Sequence, residues 1–342
     1  MGLSIGSKVY IERQLGPDNK YMAVTTQVQL SRAKTNPILI ADKSNWWESK
    51  AVFNCSVLND GKTIHMLYRA IGEYEDYVSR IGYATSSDGL SFERKKEVAL
   101  YPVADYEKHG MEDPRLTSID DRIYVTYVVL SDRLKNGPLA STALAVTDDF
   151  CSYERLGIIT APGSDNKDVV LFPKPNGDAL SEKYLMLHRP SKWIGHSFDV
   201  SRPSIWLAEG DSVTSFIGHS LLFKPEQPWE ELKIGAGISP IKTNKGWVVI
   251  YHGVSSDRVY SAGAVLLDSN NPSKILGRTK EPILTPEAYY EKNGDVNNVV
   301  FPTGACVINN ELYVYYGGAD KVCCVATIDL DELLDHLLCP AR

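Results

Sequence analysis

The chain has 342 residues, 43% of them hydrophobic, and a formal net charge of -7, so it carries enough apolar material for a large core and is poorly suited to a polyanion such as nucleic acid. No stretch approaches the roughly 18 consecutive apolar residues of a membrane span, and the N-terminal MGLSIGSKVYIERQLG lacks the long apolar run and cleavage site of a secretory signal. The expectation is a cytoplasmic protein with neither nucleic acid nor membrane as partner; a homo-oligomer is compatible with it.

Along the chain, a polar turn followed by an alternating aromatic and aliphatic strand returns five times: NDGKTIHMLYRA, DDRIYVTYVVL, NGDALSEKYLMLHRP, NKGWVVIYHGV and NNELYVYYGGAD. The copies lie roughly 60 residues apart. Each is preceded by an apolar strand (AVFNCSVL, EDPRLTSI, DVVLFPKP, GAGISPIKT, VVFPTGACVI) and followed by a third (SRIGYATSSDG, TALAVTDD, SIWLAEGDS, SAGAVLLDS, VCCVATIDL). Repeated three- or four-stranded units joined by turns predict an all-β, five-bladed β-propeller. Two stacked sandwiches would not explain the fivefold return of one pattern. The reading is a single propeller domain over residues 1–342, its ring closed by the segment before Lys50 and followed by one amphipathic helix at residues 329–339, DLDELLDHLLC. The six cysteines show no metal-ligand spacing and are read as buried free thiols; the acids and histidines show none either, so no metal site is expected.

The inner strands of a propeller converge on its axis, so polar residues at equivalent places gather around one funnel. The repeats contribute Asn54 and Arg69, then Asp113 and Arg115, then Lys167, Asp168 and Arg189, then Lys233 and His252, and finally Asp320. Taken singly, each has a plainer role: His252 as a core histidine, Lys233 as an exposed lysine, Arg189 as a structural partner of Asp168. Their occurrence in register favours a site. In HGMEDPRLT, Glu112 and Asp113 are adjacent, and on an extended strand they point to opposite faces, so only one can reach a given substrate atom.

A central carboxylate among cations points to acid catalysis on a polar substrate, with glycoside cleavage the leading case. Hydrolysis needs a second carboxylate as base or nucleophile. Lys167, Arg189, Lys233 and His252 stand where it belongs. That cluster suits an oxyanion such as phosphate, itself a nucleophile.

The segments GMEDPRLT, DVVLFPKP, KIGAGISPIKTNKGWVVIYHG and NVVFPTGACVINNELYVYYGGAD resemble the motifs of family 130 of the glycoside hydrolases, the β-mannoside phosphorylases and related mannosidases, from about Asn54 to Asp320. The resemblance implies a five-bladed propeller with Asp113 as proton donor, acting through a hydroxyl of the bound mannose. It implies phosphate ligands at Arg189, Lys233, His252 and Lys167, the last standing where the family commonly has Arg. Asn54, Arg69 and Asp320 would line the mannose pocket, with Arg115 and Asp168 completing the substrate-binding set. The GAGISPIKT stretch departs from the proline run more common in the family. The implied reaction is inverting phosphorolysis of β-mannosides, giving α-mannose 1-phosphate and a shortened sugar, with inorganic phosphate as co-substrate and no cofactor. The chain lacks long insertions, which favours short β-1,2-linked manno-oligosaccharides; β-1,4-linked substrates, a hydrolytic mannosidase and a non-catalytic glycan-binding propeller are the alternatives. Trp46, Trp47 and the 190–203 loop are candidates for acceptor contacts, whereas Trp206 and Trp247 lie in strand patterns and are expected in the core.

Overall fold

Turn residues and period-two strands produce five antiparallel sheets in the computed structural model, which describes residues 28–130, 139–174 and 183–339. Blade 1 comprises Ala51–Asn59, Ile64–Ile71, Ser79–Ser86 and Glu93–Arg94. Blade 2 comprises Met111–Ile119, Arg122–Leu130, Ala140–Thr147 and Glu154–Ile158. Blade 3 has Asn166–Leu171, Tyr184–Pro190, Ile205–Gly210 and Gly218–Phe223. Blade 4 starts on the interrupted strand Lys233–Ala236 and Ile241–Lys242, followed by Trp247–Val254, Tyr260–Leu267 and Ile275–Arg278. Blade 5 runs Val300–Ile308, Glu311–Gly318 and Val322–Asp329, and its fourth strand is Ser31–Arg32, paired through Ser31 with Thr327 and Arg32 with Ala326. The chain is therefore a five-bladed β-propeller whose last blade is completed by a strand from the N-terminal side. Asp120 with Asp121 and Asn309 with Asn310 take positive φ at the centres of two-residue hairpins, a conformation that Asn and Asp tolerate. The turn expected in NGDALSE, residues 176–182, lies outside the described residues, as does the MGLSIGSKVYIERQLG segment.

The core is divided among the seams of the ring. Five large buried clusters each join two neighbouring blades: Leu67 and Ile81 with Val125 and Tyr127, Leu144 with Met186, Leu187 with Val249, Val248 with Val314, and Met66 with Tyr315. The helix Leu330–Leu338, capped by the Asp329 carboxylate accepting from the Glu332 amide at 3.0 Å, buries Leu333, Leu334 and Leu337 on the seam of blades 4 and 5. Trp206 and Trp247 are core residues, as expected. Cys55, Cys306, Cys323 and Cys324 are buried free thiols, but Cys151 and Cys339 are exposed: the first follows a polar DDF turn and the second ends the helix.

A second repeat escaped the sequence reading. In four blades a buried glutamate on one helical turn before the inner strand accepts a hydrogen bond from a tyrosine of the second strand and pairs with an arginine of the outermost strand. The sets are Glu48, Tyr68 and Arg94; Glu107, Tyr127 and Arg155; Glu230, Tyr251 and Arg278; and Glu291, Tyr316 and Arg32, with tyrosine to carboxylate distances of 2.8, 2.7, 2.6 and 2.8 Å. Arg32 comes from the ring-closing strand. In blade 3, His188 takes the tyrosine's place, in contact with Asn166 at 2.9 Å and His219 at 3.1 Å. Tyr68, Tyr251 and His188 immediately precede Arg69, His252 and Arg189, so these anchors fix the strands that carry three of the nominated residues.

Candidate active site

The expectation that Glu112 and Asp113 face apart fails because the strand is not regular there. The pairing register shifts between Phe53 and Ser56, between Glu112 and Arg115, and between Lys167 and Val170, and at these bulges Asn54, Asp113 and Asp168 adopt φ of 50, 51 and 57°. A bulge re-aims side chains, and Asn and Asp are the side-chain-bearing residues that best tolerate this region. Three successive inner strands thus turn a short polar side chain toward the axis. On the second strands, Arg69 lies opposite Phe53, Arg189 opposite Lys167 and His252 opposite Gly235, so two guanidinium groups and an imidazole occupy one equivalent position in blades 1, 3 and 4.

These side chains meet in a cavity of about 160 Å³. Of the ten nominated residues, nine line it: Asn54, Arg69, Asp113, Lys167, Asp168, Arg189, Lys233, His252 and Asp320. Tyr260, Val296, Val299 and Phe301, which the sequence reading missed, complete the wall. A larger cavity of about 330 Å³ between Tyr184 and Trp247 has no carboxylate in its lining, so size alone does not locate the chemistry.

Arg115 does not line the funnel. It is buried beneath it, donating from Nε to the Gly237 carbonyl of blade 4 at 2.6 Å and from Nη1 to the Asp113 carbonyl at 2.8 Å. The residue of blade 2 equivalent to Arg69 is Val128, opposite Glu112. Past the bulge, Arg115 therefore braces the floor.

Asp113 Oδ1 accepts from Asn54 Nδ2 at 2.8 Å and lies 3.3 Å from Arg69 Nη1. Burial alone would raise its pKa, but Arg69, Arg115 and Lys167, with the Asn54 amide, hold it below the ordinary aspartate value. Asp320 moves the other way, up to about 6: burial dominates, and Asp113 and Glu112 add to it against the pull of Arg69. On the side of blades 3 and 4, Asp168 Oδ2 accepts from Arg189 Nε at 2.7 Å and sits 3.7 Å from His252 Nε2. Burial raises the Asp168 pKa, yet Arg189, His252 and Arg115 bring it well below the carboxylate range, making it a poor base. His252 is held neutral, its pKa lowered to about 3 chiefly by burial. The Lys233 pKa falls to about 8 through burial and the neighbouring Arg189, and its ammonium lies 5.2 Å from the Tyr260 ring centroid. Five buried side-chain polar atoms among the described residues lack a hydrogen bond, and two of them, Asn54 Oδ1 and His252 Nδ1, belong to this cavity.

Two glycines, also missed, make the site possible. A Cβ on Gly235 would lie 2.1 Å from Asp168 Oδ2, and one on Gly317 would lie 2.0 Å from Asn54 Oδ1. Of the candidate acceptor contacts, Trp47 is a packing residue, stacked on Tyr68 and donating to the Lys96 carbonyl, whereas Trp46 is 67% exposed with the Arg80 guanidinium 4.8 Å from its ring centroid. In the 190–203 loop, Trp193 stacks on Phe198 and meets Trp206 edge-on, leaving Ile194 and His196 exposed at the tip. Among the described residues no group of three or more His, Cys, Asp or Glu could hold a metal ion, and no described helix is long and apolar enough to cross a membrane.

A propeller axis that gathers a hydrogen-bonded acid and clustered basic side chains in one cavity has the form of a carbohydrate-active enzyme's centre. The chain belongs to family 130 of the glycoside hydrolases: the family's sequence model, described as beta-1,4-mannooligosaccharide phosphorylase, matches residues 30–338. It is 38% identical over 312 residues to a 1,2-beta-oligomannan phosphorylase of Thermoanaerobacter sp. (strain X514), covering 90% of this chain and 99% of the relative. It is 36% identical over 317 residues to a beta-1,2-mannobiose phosphorylase of the same strain, covering 89% of this chain and 99% of the relative. The structure of the Listeria innocua beta-1,2-mannobiose phosphorylase in complex with beta-1,2-mannobiose superposes with a TM-score of 0.77 at 30% identity, covering 90% of this chain and 99% of that one.

Proposed function

We propose that this chain is an inverting β-mannoside phosphorylase acting on short β-1,2-linked manno-oligosaccharides. The observation that carries this reading is the state of the acid on the far side of the funnel. Asp168 is tied to Arg189 at 2.7 Å and held well below the carboxylate range, so it cannot serve as a base for water, and the same side presents Arg189, Lys233 and neutral His252 to an oxyanion. The relatives at 36 and 38% identity are named for β-1,2-linked substrates, which supports that linkage over β-1,4.

In this reading Asn54, Arg69 and Asp320 hold the mannose, and Arg189, Lys233, His252 and Lys167 hold inorganic phosphate. A phosphate oxygen attacks the anomeric carbon. The glycosidic bond breaks with its electron pair going to the leaving oxygen, which receives a proton originating on Asp113 and relayed by a mannose hydroxyl. Inversion gives α-mannose 1-phosphate and a shortened sugar. The protein supplies proton donation, positioning and preorganised charge; no cofactor takes part. We also place the protein in the cytoplasm, because a charged sugar phosphate is retained there for further metabolism; activity found in a non-cytoplasmic fraction would count against this.

The test is release of mannose 1-phosphate from β-1,2- and β-1,4-mannobiose with and without inorganic phosphate, for the wild type and Asp113→Asn. Phosphate-dependent release, fastest on the β-1,2 substrate and lowered at least about 100-fold in the variant, is expected. Free mannose released at an equal rate without phosphate would overturn the reading.

A further inference from the structure

Glu112 has no part in the reaction as described, yet it is 7% exposed and sits at the centre of the charge pattern. Its Oε1 is 2.6 Å from Arg69 Nη2 and its Oε2 is 3.4 Å from Lys167 Nζ. Arg69 is otherwise committed through Nε to Ser79 Oγ at 2.8 Å and reaches Asp113 through Nη1. One carboxylate therefore ties a cation of the mannose side to a cation of the phosphate side, across blades 1, 2 and 3. Asp113 has charged neighbours on several elements: Arg69 from blade 1, whose guanidinium also holds Glu112, Arg115 from its own strand, Lys167 and Asp168 from blade 3 and Asp320 from blade 5. Three cations, Arg69, Arg115 and Lys167, draw on a group that must carry a proton in order to donate it.

We propose that Glu112 is a positioning residue that links Arg69 to Lys167 and, by its negative charge, keeps Asp113 able to carry its proton. The inference rests on the reading of Asp113 as proton donor. Without Glu112 the acid would keep its three cationic neighbours and lose one negative charge, and its protonated form would be disfavoured. Lys167, released from its anionic partner, would be freer for phosphate.

Glu112→Gln retains the size and one acceptor oxygen but removes the charge. The measurement is the pH profile of kcat at saturating phosphate and disaccharide, which reports the ternary complex: there the bound phosphate adds negative charge beside Asp113 and raises its pKa above the value in the empty site, and the Lys233 protonation that governs phosphate entry does not intrude. The alkaline limb, set by loss of the Asp113 proton, is expected to move down by about one pH unit, and the KM for phosphate to fall a few-fold. Glu112→Asp, which keeps the charge on a shorter arm, is expected to lower kcat without moving the limb. Lys167→Met removes a cation instead and is expected to move the limb upward, so the sign is tested even if Glu112→Gln fails to fold. An unshifted limb in Glu112→Gln, or shifts of the same sign in Glu112→Gln and Lys167→Met, would overturn the proposal. Asp113→Asn in the same series separates the two readings: if it keeps turnover, the assignment of the acid fails whatever Glu112 does. If it is inactive while the limb stays in place in Glu112→Gln, only the role of Glu112 fails.

Discussion

Phosphate should bind this protein progressively less well as pH rises through 8, and the cause is a single lysine. Lys233 begins the inner strand of blade 4, flanked by Arg189 and Lys167, and burial with these two cations outweighs the attraction of Asp168 and brings its pKa down to about 8. A depressed lysine pKa means that the ammonium is present below about 8 and lost above it. At pH 7 about ten molecules in eleven carry the charge, and at pH 9 about one in eleven, a tenfold difference in the binding-competent form. Phosphate is chiefly dianionic at the upper end of this range, so the nucleophile itself does not cause the loss. The assay is the dissociation constant for inorganic phosphate between pH 6.5 and 9.5, measured by calorimetry, a binding equilibrium into which proton donation by Asp113 does not enter. The wild type should lose about tenfold in affinity between pH 7 and 9. Lys233→Arg, which cannot be deprotonated in this range, should start lower because its fork fits the position less well, but stay flat. A wild-type profile that is flat to pH 9.5, or a Lys233→Arg profile with the same decline, would refute the argument.

Two further predictions concern the frame of the site. Arg32→Ala removes both guanidinium contacts to Glu291, at 2.8 and 2.9 Å, from a carboxylate that is fully buried but keeps Tyr316 and the Glu287 and Ala288 amides. The expected loss is about 3 kcal/mol. With an unfolding entropy of about 2.1 cal/mol/K per residue, Tm falls by about 4 °C; calorimetry finding a change under 1 °C would contradict it. Gly235→Ala places a methyl 2.1 Å from Asp168 Oδ2 and 2.5 Å from His252 Cε1. It should lower kcat/KM for phosphate roughly 100-fold by displacing the anion ligands, and a variant with wild-type kinetics would show that the strand yields instead.

The propeller was legible because its signal is repetition: hairpin turns such as DDR and NNE recur with a period-two strand behind each, and neither needs tertiary information. The site residues were legible for the same reason, and nine of ten nominations share one cavity. What escaped was whatever departs from period two. An extended strand sends Glu112 and Asp113 apart, but the left-handed residue at the bulge lets Arg69 touch both. The recurrence of Asn or Asp at this place, in FNCS, EDPR and KDVV, is the signal that could have located it. Arg115, nominated with the others, lies outside the lining because the chain past the bulge turns it to the Gly237 carbonyl. Gly235 and Gly317 act by having no side chain, which residue chemistry does not register. The glutamate anchors left a readable trace: an aromatic residue followed by Glu before the inner strand, in Trp47-Glu48, Tyr106-Glu107, Trp229-Glu230 and Tyr290-Glu291.

The partition of the core into five wedges has a consequence for how the molecule opens. In an open stack of repeats, losing one terminal interface frees a repeat. In a closed ring every blade is clamped on both sides, so freeing a blade breaks two wedges whereas parting a seam breaks one. Blade 3 differs from the others internally rather than at its seams, since it alone replaces the Glu, Tyr and Arg anchor with His188, Asn166 and His219. Arg189 and Lys167 sit on that blade. A loosening inside blade 3 therefore meets no buried charged anchor of the kind that holds blades 1, 2, 4 and 5, and it moves Arg189 and Lys167 while the seams stay closed.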